Sequence, residues 1–503
     1  MTKPHLTENE KAANGPLPGD HSLVEAEHRG ARKVASPGYY PSLAGAEISG
    51  ADRSGCFPSA SFTGSHTGPN RVFAWRSEDE YNGVTFLCTR EPGELFLCGG
   101  NLPEAKAPVL PGPYVARVDP TTGKQIWRTY VENANVTDNW IGVNNLNILA
   151  NGKIVTAWSN QIALLDADTG RILRTGSLPS GEAPPKDSHF KHLTIAPDGT
   201  LILKNQTRAE EIREQGTTAM LKAFRKGLKL PPSSLVAVDG ETLQVLDTLQ
   251  LPELAATPHG ITTFEGKIAI YACANEHAYR CFWDPASKKL SFDKTWIVPY
   301  LSEGQSTGDA PGIMGEWVAI QTNGMGGKVP SSVVAVNVHD GKRQTSIVPF
   351  GELKRTQLSL APPKTCIDLE NNMLYSADAG VGKVAGIRLD QSTGEMTTQF
   401  IVDCTTLTFQ PLIGPKDKRV VMLTNMKGAL PVMGAVLDLV TGKYTEQVTW
   451  RDAATGRLLA ESDFFEPLTI NSLVVPGYGG RFYYPTNNGF LTLQVQPAPK
   501  TKS

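Results

Sequence analysis

The sequence contains no long hydrophobic run. Nothing in it approaches the roughly 18 consecutive apolar residues of a membrane-spanning helix, so no membrane partner is expected. The opening MTKPHLTENEKAANGPLPGDHS has no apolar core of the kind a secretory leader carries, and a cytoplasmic protein is expected. An excess of charge of one sign is missing as well: 48 Lys+Arg against 50 Asp+Glu leave a net charge of -2, which gives no footing for nucleic acid. Paired-cysteine motifs are absent. The 7 cysteines are Cys56, Cys88, Cys98, Cys273, Cys281, Cys366 and Cys404. An odd count with no CxxC and no CxxCH excludes c-type haem attachment and a zinc ribbon. Most of them lie in strand-like runs such as VTFLCT and ELFLCGG and read as buried reduced thiols. A Cys88–Cys98 bridge between neighbouring strands is the alternative.

What the chain does have is glycine and proline, 48 and 36 of them in 503 residues, beside 40% hydrophobic residues. That is the composition of a globular protein with many short strands and tight turns. It also repeats itself. YVARVDPTTGKQIWRTYV (114–131) and IALLDADTGRILRTGSL (162–178) share one plan: an apolar strand, an Asp, a Thr-Gly turn, a second strand. Weaker copies follow, and the marker residues are Asp119, Asp166, Asp239, Asp284, Asn337, Asp390 and Asp438. Most steps between them are roughly 45–53 residues, the length of a four-stranded propeller blade. Each hairpin is preceded by another pair of strands, as in LNILANGKIVTAW and LTIAPDGTLILKN. One unit is therefore strand a, tight turn, strand b, loop, strand c, Thr-Gly turn, strand d.

Seven such units run from about Val84 to Trp450, and a three-strand remainder follows in LTINSLVVPG, GRFYYPTNNG and FLTLQV. The apolar run RVFAWRS (71–77) has no partner of its own and is expected to supply the missing outer strand, because an open ring would leave sheet edges unpaired. The expectation is an all-β, eight-bladed β-propeller over 70–497, with seven blades as the alternative. Residues 1–35 are polar and are expected to be disordered. Residues 36–69 read as an irregular extension that either packs on the propeller or plugs a face.

The hairpin pattern Asp-x-x-Thr-Gly-Lys-x-x-Trp, seen at Asp119 to Trp127, resembles the blade repeat of quinoprotein-like (PQQ-type) propellers. The likeness covers the hairpins along most of the chain. It implies the propeller architecture. Pyrroloquinoline quinone dehydrogenases are typically exported and carry a vicinal cysteine pair; this chain has no adjacent cysteines, and that cofactor is not expected. The Pro-His-Gly-Ile segment at 258–261 resembles a strand-start motif of lyase and lactonase propellers.

In a propeller, the loops entering strand a and those joining b to c share one face, and the short a–b and c–d turns share the other. Aligned strand-a starts put His192 and His259 at equivalent positions of adjacent blades, with Asn145 at the same position one blade earlier. His277 follows strand b of the second histidine-bearing blade. His192 and His259 are the candidate catalytic residues, as general bases, and the three imidazoles are candidate ligands for a divalent metal. Strand b often ends in a polar residue; Asn205 and Asn275 join Asn145 and His277 as candidate ligand-binding residues, against the plainer reading that such Asn side chains cap the loop.

The step from Asp166 to Asp239 is 73 residues, so the third blade carries an insertion. Within 206–233, Met220, Phe224 and Leu228 recur at helical spacing, which predicts a helical insertion, either a lid over the channel or a cap on the blade edge. Three functions remain open: an enzyme of hydrolase or lyase type acting on a small-molecule ligand at the histidine-bearing mouth, a non-catalytic ligand-binding or protein-interaction scaffold, and a quinone-dependent dehydrogenase.

Overall fold

A computed structural model describes residues 15–100, 112–131, 145–213, 219, 222–223, 226–324, 328–355, 357–360, 365–408, 410–427, 444–468 and 473–499. It is an eight-bladed β-propeller. Blade 1 runs from Phe86 to Tyr130, blade 2 from Asn147 to Ser177, blade 3 from Ser188 to Gln250 and blade 4 from Gly260 to Pro299. Blade 5 runs from Gly312 to Ile347, blade 6 from Cys366 to Asp403 and blade 7 from Leu412 to Glu461. Blade 8 takes three strands from Val475–Pro497 and its outer strand from Asn70–Arg76. The closing strand pairs antiparallel over its whole length, from Asn70 opposite Pro497 to Arg76 opposite Leu491. RVFAWRS thus closes the ring, which leaves no blade with an unfilled outer position.

The Asp-x-x-Thr-Gly turns are built the same way each time. Asp119 Oδ1 accepts from the Thr121 and Thr122 amides and the Thr122 hydroxyl, and Gly123 follows at φ +73°. Asp166 and Asp239 repeat these bonds, the latter with Leu243 at φ +58° in the glycine position, and at Asp390 the hydroxyl donor is Ser392. The turn glycine has a second task. A Cβ on Gly170 would lie 2.5 Å from the Trp127 ring of the preceding blade, whose indole N–H donates to the Ala167 carbonyl. Trp317 meets Gly394 in the same way between blades 5 and 6, and Phe400 meets Gly456 between blades 6 and 7. The repeated motif therefore sets both the turn and the spacing of neighbouring blades.

One hairpin differs from the sequence expectation. The outer turn of blade 7 is at Asp452 to Gly456, in a hairpin of Thr445–Asp452 and Leu458–Glu461, not at Asp438. Asp452-Ala-Ala-Thr-Gly carries the same bonds as the other turns; Asp438 lies outside the described residues.

The N-terminal region also differs. A 14-residue helix, His21–Val34, lies where disorder is expected, capped by the Asp20 carboxylate on the Ser22 amide. Its buried residues are Glu27 and Ala31, and Glu27 accepts from the amides of Ser61, Gly479 and Gly480. The helix is held by docking onto blade 8, which polar composition conceals. From Ser36 to Phe57 the chain crosses the end of the channel on the side of the short turns. It bonds the inner strands of blade 2 through Tyr40 and Gly45, blade 4 through Ala51, blade 6 through Ser54 and blade 7 through Gly55. Cys56–Phe57 adds a parallel strand to Leu412–Ile413. The irregular extension is a plug.

In the insertion of blade 3, Ala219, Lys222 and Ala223 are helical. Met220 and Phe224 lie outside the described residues. Ala209, Ile212, Ala219 and Ala223 pack with Leu228 and Leu230, and Leu230 also reaches Leu254 and Ala256 of the loop entering blade 4. Arg208, fully buried, pins the insertion to Asp187 at 2.9 Å. All seven cysteines are free, Cys88 and Cys98 included. No helix among the described residues is long and apolar enough to cross a membrane.

Candidate functional site

Blade 3 brings His192 and Lys204 opposite each other on its two inner strands. Directly paired residues of an antiparallel ladder point to the same face, and so do residues two apart. His192, Thr194 and Lys204 therefore share one face of the sheet. A register shift between Phe190 and His192 sets this phase, with Lys191 as the extra residue. The facing residue from blade 4 is His259, one residue before strand a, whose Nε2 is 2.6 Å from the Thr194 hydroxyl. The Ile202 carbonyl bonds the same imidazole.

His259 and Lys204 are both fully buried. Burial, followed by the nearby charges of Lys204 and Arg53, holds the His259 imidazole well below its ordinary pKa. Burial likewise brings the Lys204 amine down to about 7, with Arg53 adding to the effect and Cys273 and Asp309 opposing it. The Lys204 amine donates to the Ala255 carbonyl. Arg53 comes up from the plug, buried and ion-paired with Glu47, whose amide in turn donates to Asn147. The plug thus brings charge to the blade 3–blade 4 wall from below.

The candidates named from sequence divide. His192 and His259 flank one face of blade 3. His277 is elsewhere: its Nδ1 is 2.6 Å from Glu253, which also accepts from the Tyr279 hydroxyl and the Glu276 amide. Among the described residues, the group whose ligand atoms lie close enough for one metal ion is Glu253, Glu276 and His277, not His192, His259 and His277. Shared ligation by the three imidazoles is therefore corrected. A strand start and a strand c start lie at different radii from the axis, and equal position in the repeat does not make them converge.

The asparagines are mostly latches. Asn145 Oδ1 accepts from the Ala157 amide. Asn205 accepts from Ser234 and donates to Ser180 and Ser188, tying the end of strand b to the preceding loop. Asp378 does the same in blade 6 with Ser359 and Leu360. Asn275 lies in the loop after strand b of blade 4, and its Oδ1 has no partner among the described residues.

Sequence reasoning missed Lys204, Arg53 and Glu47. Lys204 left a trace, a single charge in the apolar strand LILKNQT. Arg53 and Glu47 left none, since only the path of the plug makes them axial.

On the opposite face, a groove of about 500 Å³ runs between the plug and blades 4–7. Its lining includes Asp52, Asp368, Glu370 and Arg419, and the buried Arg419 is already met by Asp368 and Glu370.

No protein-family model matches the chain, and no curated protein matches it in sequence. Solved structures do. Quinohaemoprotein alcohol dehydrogenase from Comamonas testosteroni is 12% identical, with 99% of this chain and 86% of that chain covered at a TM-score of 0.49. Quinohaemoprotein alcohol dehydrogenase ADHIIG from Pseudomonas putida is 9% identical, with 96% and 84% covered at 0.44. BamB from Moraxella catarrhalis is 14% identical, with 81% and 99% covered at 0.42. Identities this low speak to fold and not to activity, and with TM-scores below 0.5 the eight blades rest on their own sheets.

Proposed function

We propose that this chain is a cytoplasmic enzyme of hydrolase or lyase type, acting on a small molecule at the loop-face mouth of the channel. His259 is its general base, and Lys204 and His192 form the wall beside it. The observation that carries the reading is the state of His259. Its Nε2 is engaged by the Thr194 hydroxyl, so Nδ1 is the ring nitrogen left to exchange a proton. That Nδ1 is buried and has no partner among the described residues. A neutral imidazole is the form able to accept a proton at neutral pH. The plug covers the other end of the channel, so the loop face is the side open to substrate in this reading, with the blade 3 insertion packed on the loop entering blade 4.

The test is an activity screen of the full chain. Lactones and esters report hydrolysis by proton release; hydroxy acids report elimination by new ultraviolet absorbance. Activity that His259→Gln removes while His277→Gln leaves it supports the reading. A folded His259→Gln with undiminished turnover sinks it.

A quinone-dependent dehydrogenase is equally compatible with the fold. Arg53 is paired with Glu47, and Lys204 is held near neutrality. They are a poor complement to a polyanionic quinone. Dye reduction after adding pyrroloquinoline quinone and calcium would decide for it. A non-catalytic scaffold predicts neither activity.

A further inference from the structure

We propose that the groove beside the plug binds a small organic cation with an apolar body, its ammonium on Asp52 and its apolar part on Ile313, between Val34 and Leu369. The groove shares no lining residue with the wall of His192, Lys204 and His259, and the site stands whether or not the chain is an enzyme.

The path of the plug opens the groove. The Ala51 carbonyl accepts from the Ile261 amide of blade 4, and the Ser54 carbonyl accepts from the Ile367 amide of blade 6. Between these anchors Asp52 and Arg53 pass blade 5 with no backbone bond to it among the described residues. The gap is the groove, about 500 Å³. Small-molecule sites run to roughly 300–1,000 Å³.

Its floor comes from the repeat. Ile261, Ile313 and Ile367 are each the second residue of strand a, in blades 4, 5 and 6, and all three line the groove. A Cβ on Gly260 would lie 3.2 Å from Ile313 Cδ1, and one on Gly312 would lie 2.7 Å from Ile367 Cδ1. Each isoleucine therefore leans over the glycine of the blade before it, and the row is continuous. On blade 7 the plug strand Cys56–Phe57 pairs with the equivalent residues Leu412 and Ile413. On blades 4 to 6 the isoleucines remain groove wall. The rim is apolar as well. Val34, from the end of the N-terminal helix, is 57% exposed, and Leu369, just after strand a of blade 6, is 53% exposed. Two large apolar side chains left open at one cavity mark a binding groove.

The charge selects the ligand. Arg419 is shared by Asp368 and Glu370, and it also donates to the Gly414 carbonyl. Asp52 accepts from the Ser54 amide and meets no cation among the described residues. Three carboxylates thus share the groove with one guanidinium. The nearby cations are committed elsewhere: Arg53 pairs with Glu47 and Arg32 with Glu91, and Lys33 is not in the lining. Arg53 sits at φ +53°, a left-handed conformation that costs an arginine energy. It lies buried on Glu47 while its neighbour Asp52 lines the groove. The Glu370 side chain is 55% exposed, so water screens it. Asp52 is beside the floor: the Cβ position on Gly260 that meets Ile313 is also 3.5 Å from the Asp52 carbonyl. An unpaired carboxylate next to an open apolar row suits an ammonium carried on a hydrocarbon.

The probe is hexylamine, titrated calorimetrically into the full chain at pH 7, with hexanoate, ethylamine and pentalysine as controls. Hexylamine should bind at least about tenfold more tightly than ethylamine, through its additional methylenes. It should exceed hexanoate, which has the same body and the opposite charge, by about tenfold or more. Asp52→Asn keeps an acceptor for the Ser54 amide and should weaken hexylamine by about tenfold or more. Should Asp52→Asn fail to fold, Leu369→Lys puts a positive charge at a half-exposed rim position and should weaken hexylamine several-fold. Hexanoate binding as tightly as hexylamine, a folded Asp52→Asn with undiminished affinity, or no binding of hexylamine overturns the proposal. Pentalysine binding more tightly than hexylamine makes the groove a dock for a basic chain and overturns the small molecule.

Discussion

His192 and Lys204 lie directly opposite each other on the inner strands of blade 3, and Thr194 of the same face meets His259 of blade 4. Two blades thus share one polar wall. Burial pushes Lys204 and His259 towards their neutral forms, and that makes the wall visible to stability measurements.

Lys204 in the folded chain titrates at about 7, against 10.5 when exposed. Below pH 7 both states are protonated and the burial cost is present in full. It fades as pH rises towards 10.5, since the unfolded chain then carries the extra proton. Removing the charge should gain about 5 kcal/mol, offset by about 1–3 kcal/mol for the orphaned Ala255 carbonyl. Lys204→Met should therefore raise the Tm at pH 6 and have little or opposite effect near pH 10. An equal gain at both pH values would contradict a buried, charge-starved amine.

His259 has the opposite pH signature. Its folded pKa lies well below 6.5, so the unfolded chain takes up a proton first as pH falls, and stability drops below pH 6.5. His259→Gln should lose less Tm between pH 7 and pH 5 than the native chain does. Parallel Tm curves would show that the imidazole is not held neutral.

Gly170 and Gly199 form a controlled pair. Both have positive φ, +73° and +86°. A Cβ at Gly170 would strike the Trp127 ring at 2.5 Å, while at Gly199 nothing lies within 4 Å. Gly199→Ala should cost about 1 kcal/mol of backbone strain. Gly170→Ala should cost about 2–4 kcal/mol, because the blade 1–blade 2 docking must also shift. Denaturant titration of the two variants checks the ordering.

Ring closure predicts a sharp step in a truncation series. A chain starting at residue 36 loses the helix and its Glu27 bonds but keeps the plug and the closing strand, and should keep the full chain's oligomeric state with a lower Tm. A chain starting at residue 80 loses Asn70–Arg76 and exposes the edge of Gly489–Pro497. It should aggregate on size-exclusion chromatography. A soluble, cooperative chain from residue 80 would show that the strand is dispensable.

The sequence by itself determined the architecture. Each blade is a local unit, and its Asp, Thr and Gly act within five residues of one another, so seven hairpins and a three-strand remainder could be counted without a structure. The same count misplaced one turn, because Val440-Thr441-Gly442 and Ala454-Thr455-Gly456 offer the same local signal and only strand pairing chooses between them. The candidate site was legible in part. His192 and His259 follow from repeat register, which fixes height along the axis. Register says nothing of radius, and His277 accordingly bonds Glu253 instead of joining them. Lys204 showed as one charge in an apolar strand. Glu47 and Arg53 were beyond reach, because they become axial only when a polar, non-repeating segment is drawn across the channel by backbone bonds to several different blades. Those bonds join residues far apart in the chain, and long-range pairing of that kind is decided by tertiary structure alone.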